Sequence, residues 1–167
     1  IASCLVGSEM CIRDRDNGDD ACSPTAKIIA SQACGRLLIC RMQNVDNHKS
    51  TPLWMKNRLL HSGITSHSFL VDVSNYVMLE LGQPIHIYDA KQIKNTLHAR
   101  YAKDKEIITC LNDKTIALEK DTLVIADDNG PISIAGIIGS QSTAVNKDSS
   151  DICLLYTSDA ADERSSV

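Results

Sequence analysis

The chain has 167 residues, a formal net charge of −4 and 43% hydrophobic residues. This is the composition of an ordinary globular protein that is long enough to bury one core. No apolar run approaches the roughly 20 residues that a membrane-spanning helix needs. The weak negative charge argues against a free-standing basic nucleic-acid module, although it is compatible with a local basic patch.

The two ends of the chain are related to each other at the level of DNA. Codons written for Glu9–Asp14 have a reverse complement that encodes Cys-Leu-Leu-Tyr-Thr-Ser, which is the sequence of Cys153–Ser158. Such a relationship is typical of translated transposon-end sequencing adaptors. We therefore expect residues 1–15 and 153–167 to be artefact tails, and residues 16–152 to form the natural domain, which is then incomplete at its C-terminus.

Cysteine spacing within residues 16–152 indicates neither a zinc site nor a redox motif, because no two cysteines form a C-x-x-C pair. The expectation is thiols in a reducing cytoplasm, no bound metal and no membrane association. The four cysteines in this range are Cys22, Cys34, Cys40 and Cys110.

The first predicted elements are a strand and a helix. The run from Gly35 to Val45 has the apolar character of a buried strand. In the following segment, Thr51 is predicted to cap a helix, Pro52 suits its first turn, and Gly63 is suited to end it in the left-handed conformation.

A second helix is predicted from Asn75 to about Leu81, with Ser74 as its cap. Gly82 and Pro84 prevent its continuation. A further helical turn is predicted over residues 88–93.

Short strands follow, separated by turn residues such as Asn112-Asp113. Their short spacing favours antiparallel pairing, since parallel crossovers need about a dozen residues. The order predicts an α+β fold with a mostly antiparallel, partly barrel-like sheet and two or three short helices. The predicted strands cover residues 97–103, 106–111, 115–119, 122–127 and part of 130–140.

His86 is the first candidate site residue, because a helix, a glycine stop and a proline precede it. A histidine near neutrality can orient water, donate to a carbonyl or accept a proton. A core histidine in a turn is the alternative. Asn75 could either cap its helix or reach a ligand, and Asp72 and Asp89 could simply hold turns.

Gly136 and Gly139 form the second candidate, within the sequence AGIIGS. They could let a ligand approach the backbone or let two strands cross. The segment matches neither the phosphate-loop pattern nor the dinucleotide-binding pattern. From these residues alone the expectation is a small-molecule crevice on an α+β domain.

Four segments together resemble the B3/B4 domain of the β subunit of bacterial phenylalanine–tRNA ligases. The resemblance is ordered and covers nearly all of residues 16–152. It differs at Ile87-Tyr88, where Ala-Phe is more usual, and at Ser140, where a second glycine is usual. The segments are TPLWMKNRLLHSGI, VDVSNYVMLELGQPIHIYDAKQI, DTLVIAD and GPISIAGIIGSQSTAVN.

The resemblance implies a fragment of a cytoplasmic aminoacyl-tRNA ligase. The intact enzyme charges tRNA(Phe) with phenylalanine, using ATP and Mg²⁺ on its α subunit, in an assembly of two α and two β subunits. This domain carries the editing site, which hydrolyses tyrosine wrongly attached to the tRNA. No cofactor is expected in this chain itself.

The same resemblance assigns site residues. His86 would position the hydrolytic water or the terminal ribose, and Asn75 would support the loop or the polar end of the substrate. Ala135 and Gly136 would form the backbone wall of the pocket. A family glutamate that recognises the tyrosine hydroxyl should fall near Leu155, so its absence and that of a later Thr-x-Ala segment imply little or no deacylase activity.

A non-catalytic scaffold or RNA-binding module of the same fold is the competing hypothesis. It would be favoured if His86 lay on the far side of the domain from Gly136. The editing hypothesis requires Asn75 and His86 to face Gly136 across one pocket.

Overall fold

A computed structural model describes residues 25–158 and the strand backbones of residues 2–6 and 11–13, with side chains for residues 25–156. The α-helices of this part are α1 (Leu53–His61) and α2 (Phe69–Leu81), and Gln141–Thr143 form one turn of 3₁₀ helix. The strands are β1 (Ala2–Val6), β2 (Cys11–Arg13), β3 (Ala26–Ile28), β4 (Arg36–Met42), β5 (His86–Asp89), β6 (Leu97–Tyr101), β7 (Ile107–Thr109), β8 (Thr115–Ala117), β9 (Leu123–Asp127), β10 (Gly130–Ile134), β11 (Ile138–Gly139) and β12 (Ile152–Ser158).

Two five-stranded sheets organise the described residues. The first has the strand order β2-β1-β4-β12-β5 and the second has the order β11-β10-β9-β6-β3, while β7 and β8 form a separate hairpin. All neighbouring pairs are antiparallel except β3 and β6. The predicted α+β class with mostly antiparallel strands is confirmed, although these sheets do not close into a barrel.

The main core lies between the two sheets and is largely aliphatic. The first sheet contributes Leu37 and Leu155 among others, and the second contributes Leu97, Ile125 and Ile132. Because side chains alternate along a strand, neighbouring residues of β5 and β12 face opposite sides. The residues of β5 and β12 that face away from the main core pack with α2 in a second cluster, which is formed by Leu70, Ile87 and Ile152.

Helix α1 begins differently from the prediction and ends as expected. Pro52 is the N-cap and has no side-chain cap bond, while the Thr51 hydroxyl donates to Asp72 of the other helix. The prediction that Thr51 caps the helix was therefore wrong, because the Thr51 hydroxyl is hydrogen-bonded to a buried carboxylate instead. Gly63 follows the helix with φ +78°, and the Ile64 N–H closes the end by donating to Leu59.

Helix α2 begins six residues before the predicted start. Ser68 is its N-cap, and Ser74 lies inside the helix with its hydroxyl donating to the Val71 carbonyl. The run Phe69–Val73 is helical although its β-branched residues favour strands, because tertiary packing outweighs this weak preference. Gly82 ends the helix with φ +69°, as predicted.

The segment after Gly82 differs from the further helical turn predicted over residues 88–93. His86 begins the strand β5, which runs to Asp89. Residues 90–92 form a turn, in which the Gln92 N–H donates to the Asp89 carbonyl. The strand β5 was not predicted, because four residues are too few to show the alternation of apolar and polar residues that is typical of a strand.

Strand β12 lies between β4 and β5, and it runs from the end of the predicted natural domain into the predicted tail. Its register places Leu154 opposite Cys40 of β4 and opposite Ile87 of β5. Cys153 and Leu155 are buried in the main core. The tail boundary at residue 153 stays a prediction, and the polar lead-in at residues 16–24 lies outside the described residues.

Neither described helix has the length and apolarity that a bilayer crossing requires. Cys40, Cys110 and Cys153 are thiols that take no part in a disulfide. Cys22 lies outside the described part of the chain.

Candidate functional site

A cavity of about 270 Å³ lies between the two sheets, beside the C-terminal half of α2. Its size is close to the lower end of small-ligand pockets, roughly 300–1,000 Å³. The four residues that the sequence assigned to a site, Asn75, His86, Ala135 and Gly136, all line this cavity. The structure therefore brings together side chains from α2 and β5 with the turn that follows β10.

His86 is held in place by the end of α2 and by sheet pairing. Gly82 stops the helix, Pro84 restricts the connecting loop, and His86 then pairs with Leu155 of β12. Because the imidazole and the Tyr88 ring are two residues apart on β5, they lie on the same side of the sheet. Their ring centroids are 4.5 Å apart in an edge-to-face arrangement.

Gly139 provides space for the His86 ring. A Cβ atom at this position would lie only 2.5 Å from both Cε1 and Nε2 of His86. The glycine is therefore required by the close approach of a side chain. The sequence left two explanations open for Gly139, the approach of a ligand and the crossing of two strands. The structure shows a different one, in which the group that approaches the glycine is the His86 imidazole.

The electrostatics of His86 favour its neutral form. Burial lowers its pKa below the ordinary value of 6.5, because an imidazolium is costly to remove from water. No side chain or backbone group among the described residues hydrogen-bonds to its ring. A neutral imidazole with an unused acceptor nitrogen can orient a water molecule or accept a proton.

Asn75 lies in the interior of α2 rather than at its end, so it does not cap the helix. Its side chain is half-buried and lines the cavity. Within the described part of the chain, no group hydrogen-bonds to its carboxamide. A donor and an acceptor are thus both available to a ligand.

Gly136 lies in the turn between β10 and β11, with φ +69°. This left-handed conformation favours glycine. A Cβ atom there would meet nothing within 4 Å, so the turn leaves open space at the cavity. The preceding Ala135 is fixed by its N–H, which donates to the Leu123 carbonyl over 3.0 Å.

Sequence reasoning missed a pair of buried hydroxyls at the cavity. Tyr88 Oη and Ser133 Oγ lie 2.7 Å apart, and both residues line the cavity. Burial raises the pKa of Tyr88, so its hydroxyl keeps its proton. In the sequence Tyr88 stands out only as a departure from the usual phenylalanine, and its two-residue spacing from His86 is the signal that places it at the cavity.

Leu155 closes the cavity on the side of β12. It is 5% exposed and belongs to the main core. The resemblance implies a glutamate near this position. The wall beside His86 is therefore apolar in this chain.

Asp72 and Asp89 have structural partners away from the cavity. Asp72 accepts hydrogen bonds from Thr51, Ser66 and the His67 N–H. Asp89 accepts from Ser149 Oγ over 2.7 Å and from the Lys91 N–H. Both carboxylates hold loops in place, as one reading of the sequence suggested.

Metal binding has no candidate among the residues that the structure describes. No three His, Cys, Asp or Glu side chains in this part are grouped so that they could hold a metal ion. The chemistry available at the cavity is that of an imidazole, a carboxamide, two hydroxyls and backbone groups.

Comparison with known proteins adds a family and a set of relatives. Residues 33–162 match the model of the B3/4 domain family. The phenylalanine–tRNA ligase β subunit of Neisseria meningitidis serogroup A is 47% identical over 128 residues, which are 77% of this chain and 16% of that protein. The protein of the same name from Psychrobacter arcticus is 45% identical over 131 residues, covering 78% of this chain and 16% of its own length. This chain thus spans about one sixth of the curated relatives that it matches.

A solved structure shares the fold. It is the crystal structure of an N-terminal fragment of the phenylalanyl-tRNA synthetase β subunit from Pyrococcus horikoshii, with a TM-score of 0.59 and 14% sequence identity. The similarity covers 80% of this chain and 42% of that fragment. The family match includes ten residues beyond Ile152 and therefore covers the strand β12. On the match to residues 33–162, the chain belongs to the B3/4 domain family.

Proposed function

We propose that this chain is part of a phenylalanine–tRNA ligase β subunit and that its cavity is the editing site for tyrosine wrongly attached to tRNA(Phe). The observation that carries the proposal is the placement of Asn75, His86 and Gly136 around one cavity. The relatives that support it are phenylalanine–tRNA ligase β subunits over the matched region.

The need for an editing site, separate from the synthetic site, follows from the energetics of distinguishing tyrosine from phenylalanine. An apolar pocket rejects a ligand with one added hydroxyl by only about 100-fold in a comparable case. A pocket that hydrogen-bonds the hydroxyl discriminates far better, because phenylalanine leaves its buried polar groups without a partner. Editing therefore needs a cavity that combines apolar walls with a few placed polar groups, as this one does.

The proposed reaction is the hydrolysis of an ester. Water adds to the carbonyl carbon of the tyrosyl ester, the bond from that carbon to the ribose oxygen breaks, and tyrosine and the free ribose hydroxyl are released. His86 positions the water or the terminal ribose, and its neutral form allows it to accept a hydrogen bond from either. Its fixed place between Gly139 and Tyr88 keeps the imidazole in one orientation.

The other lining residues bind the amino acid. The Asn75 carboxamide supports the polar end of the substrate, while Ala135 and Gly136 form the backbone wall. The open space above Gly136 accommodates the tyrosyl ring. Apolar contacts from Met78 and Ile125 complete the cavity around the ring.

Leu155 limits the editing activity that we expect from this chain. A carboxylate at this position would accept a hydrogen bond from the tyrosine hydroxyl, whereas a leucine side chain can neither donate nor accept one. We expect this chain by itself to hydrolyse tyrosyl-tRNA(Phe) little or not at all. Rapid loss of the ester with the chain as it stands would contradict this expectation.

In the intact enzyme the proposed partners are tRNA(Phe) and the α subunit. ATP and Mg²⁺ would act at the synthetic site on that other subunit, and none of the residues described above has a role in that step. The proposed location is the cytoplasm, where tRNA charging takes place.

The test replaces the matched region of the Neisseria meningitidis β subunit with residues 25–152 of this chain and assembles the product with the α subunit. The β12 wall then comes from the Neisseria protein. His86→Ala in this hybrid should slow the clearance of tyrosyl-tRNA(Phe) by about 100-fold, the lower range for a residue in acid–base chemistry. Phenylalanine charging should be unchanged.

His98→Gln is the matched control, because His98 pairs with Asp128 and does not line the cavity. It should clear tyrosyl-tRNA(Phe) like the unchanged hybrid. Equal clearance by the His86→Ala and unchanged hybrids would overturn the editing proposal and favour the non-catalytic scaffold.

A further inference from the structure

Two exposed residues of α1 and a half-buried residue of α2 form a compact group, the Trp54 cluster, which consists of Trp54, Arg58 and Tyr76. The two aromatic rings meet edge to face with their centroids 5.2 Å apart. The Arg58 guanidinium carbon lies 5.4 Å from the Trp54 ring and 5.8 Å from the Tyr76 ring. Arg58 also donates a hydrogen bond to the Tyr76 hydroxyl, so the cluster is ordered before any ligand arrives.

The core does not require this tryptophan. Helix α1 buries Met55 and Leu59, whereas Trp54 is 52% exposed. Tryptophan and tyrosine are enriched at binding interfaces, because each combines a large apolar ring with a polar group. About half of the Trp54 surface is therefore accessible to another planar group.

The charge around the cluster differs from that of the chain as a whole. The chain carries −4, but residues 47–71 contain Lys49, Lys56 and Arg58 and no Asp or Glu. Three of the five histidines also lie in this segment. On the two helices, Glu80 is the exposed acid, and Asp72 is buried with its own partners. This local positive charge complements a polyanion.

Position links the cluster to the cavity. Tyr76 follows Asn75 directly on α2, and Asn75 lines the cavity. A strand that places its end in the cavity can therefore pass over α2 toward α1. Exposed aromatic rings interleaved with cations are the feature by which proteins bind single-stranded nucleic acids.

We propose that the Trp54 cluster binds a single-stranded RNA segment, with a base stacked on the exposed part of the Trp54 ring and a phosphate contacted by Arg58 and Lys56. This inference rests on the proposed function in one respect, because the RNA is then the strand that carries the ester. The exposed Leu53 and Leu60 on the same helix would instead suit an apolar protein partner, and that occupant is an outcome of the test.

The experiment uses Trp54 as its own probe, since it is the one tryptophan in the sequence. An unstructured oligoadenylate of about 12 nucleotides is long enough to cover one such site. Titration should quench the indole fluorescence, and the affinity should fall with added salt. A blunt RNA duplex of the same length should quench far less, because its bases are already stacked.

Variants are compared by the anisotropy of fluorescein-labelled oligoadenylate, which does not depend on the tryptophan. Trp54→Ala should weaken binding about tenfold or more, as expected for a lost base stack. Arg58→Gln and Lys56→Gln should each weaken it by a smaller factor and reduce the salt dependence. Lys120→Gln is the matched control, because Lys120 is an exposed lysine outside both helices.

Several outcomes would overturn the proposal. The first is an absence of quenching together with an absence of anisotropy change, and the second is equal binding by Trp54→Ala and the unchanged chain. If Trp54→Ala instead impairs assembly of the hybrid with the α subunit while RNA binding is unchanged, the cluster is a protein contact. Because this titration uses RNA without an attached amino acid and follows binding rather than ester loss, its failure leaves the editing test unaffected.

Discussion

Helix α2 borders two polar sites that differ in how completely the protein satisfies them. Near its N-terminus, the buried carboxylate of Asp72 accepts two hydrogen bonds from the loop between the helices and one from Thr51, which precedes α1. One turn further along, Asn75 faces the cavity together with His86, and neither side chain receives a hydrogen bond from the described residues. A short stretch of chain thus holds a closed polar site and an open one.

The difference separates a structural role from a ligand-binding role. Every one of these bonds joins α2 to the residues just before α1 or to the connecting loop, so the carboxylate fixes the position of the helix. The groups at the cavity keep their hydrogen-bonding capacity for a ligand or water, which is what a binding site requires. Substitutions at the two sites should consequently differ in whether stability or function is lost.

The largest loss of stability is expected for Asp72→Asn. The neutral amide accepts hydrogen bonds less strongly and points an NH2 group toward hydroxyl or N–H donors. We expect the free energy of unfolding to fall by about 3 kcal/mol, since bonds to a charged group contribute about 1.5–3 kcal/mol each. Urea unfolding followed by far-UV circular dichroism measures this change.

Glu80→Gln is the control for Asp72→Asn, because Glu80 is an exposed acid on the same helix. Its effect should stay within about 0.5 kcal/mol, as for most surface substitutions. If both variants lost the same stability, the closed site would have no special structural role.

A smaller effect is expected for Gly139→Ala. The new methyl group overlaps the His86 ring, and the ring can move into the cavity to relieve the overlap. We expect a loss of about 1 kcal/mol, at the low end for overpacking, together with a shift of the His86 Cε1 proton resonance in NMR spectra.

A double-mutant cycle isolates the imidazole as the cause. In the His86→Ala background, Gly139→Ala should change the free energy of unfolding by less than about 0.5 kcal/mol. An unchanged cost in that background would show that Leu111, whose Cδ1 would lie 3.3 Å from the new Cβ, causes the loss.

The sequence predicted those parts of the fold that local chemistry determines. The stop at Gly82 and the end of α1 at Gly63 were correct, because left-handed backbone strongly favours glycine. The start of α2 was wrong, because the strand-favouring run Phe69–Val73 is helical only through its packing. Strand β5 was missed, since four residues between Pro84 and a turn show no period.

The cavity was partly predictable for a similar reason. The resemblance identified His86, Asn75, Ala135 and Gly136, and the structure shows that they share one cavity. The contact of Gly139 with His86 and the bond between Tyr88 and Ser133 join strands that are 45 or more residues apart along the chain. Such pairings depend on sheet register, which a single sequence does not reveal.

The smallest expected effect is a pH dependence of stability that comes from His86. Burial lowers the pKa of the folded imidazole below 6.5, so the unfolded chain takes up the proton first as the pH falls. The contribution of His86 to stability is therefore fully present above about pH 6.5 and decreases below it, by at most about 1.4 kcal/mol for each pH unit. It stops decreasing once the pH is below the pKa of the folded imidazole.

His86→Gln removes this titration while the other four histidines remain, so the difference between the two proteins isolates it. Urea unfolding at intervals from pH 7.5 to pH 5 should show the unchanged chain losing stability relative to the variant as the pH falls. Parallel curves would mean that the imidazole is as well solvated as in the unfolded chain. In that case the open site would also lack the partly desolvated imidazole on which the proposed hydrolysis depends.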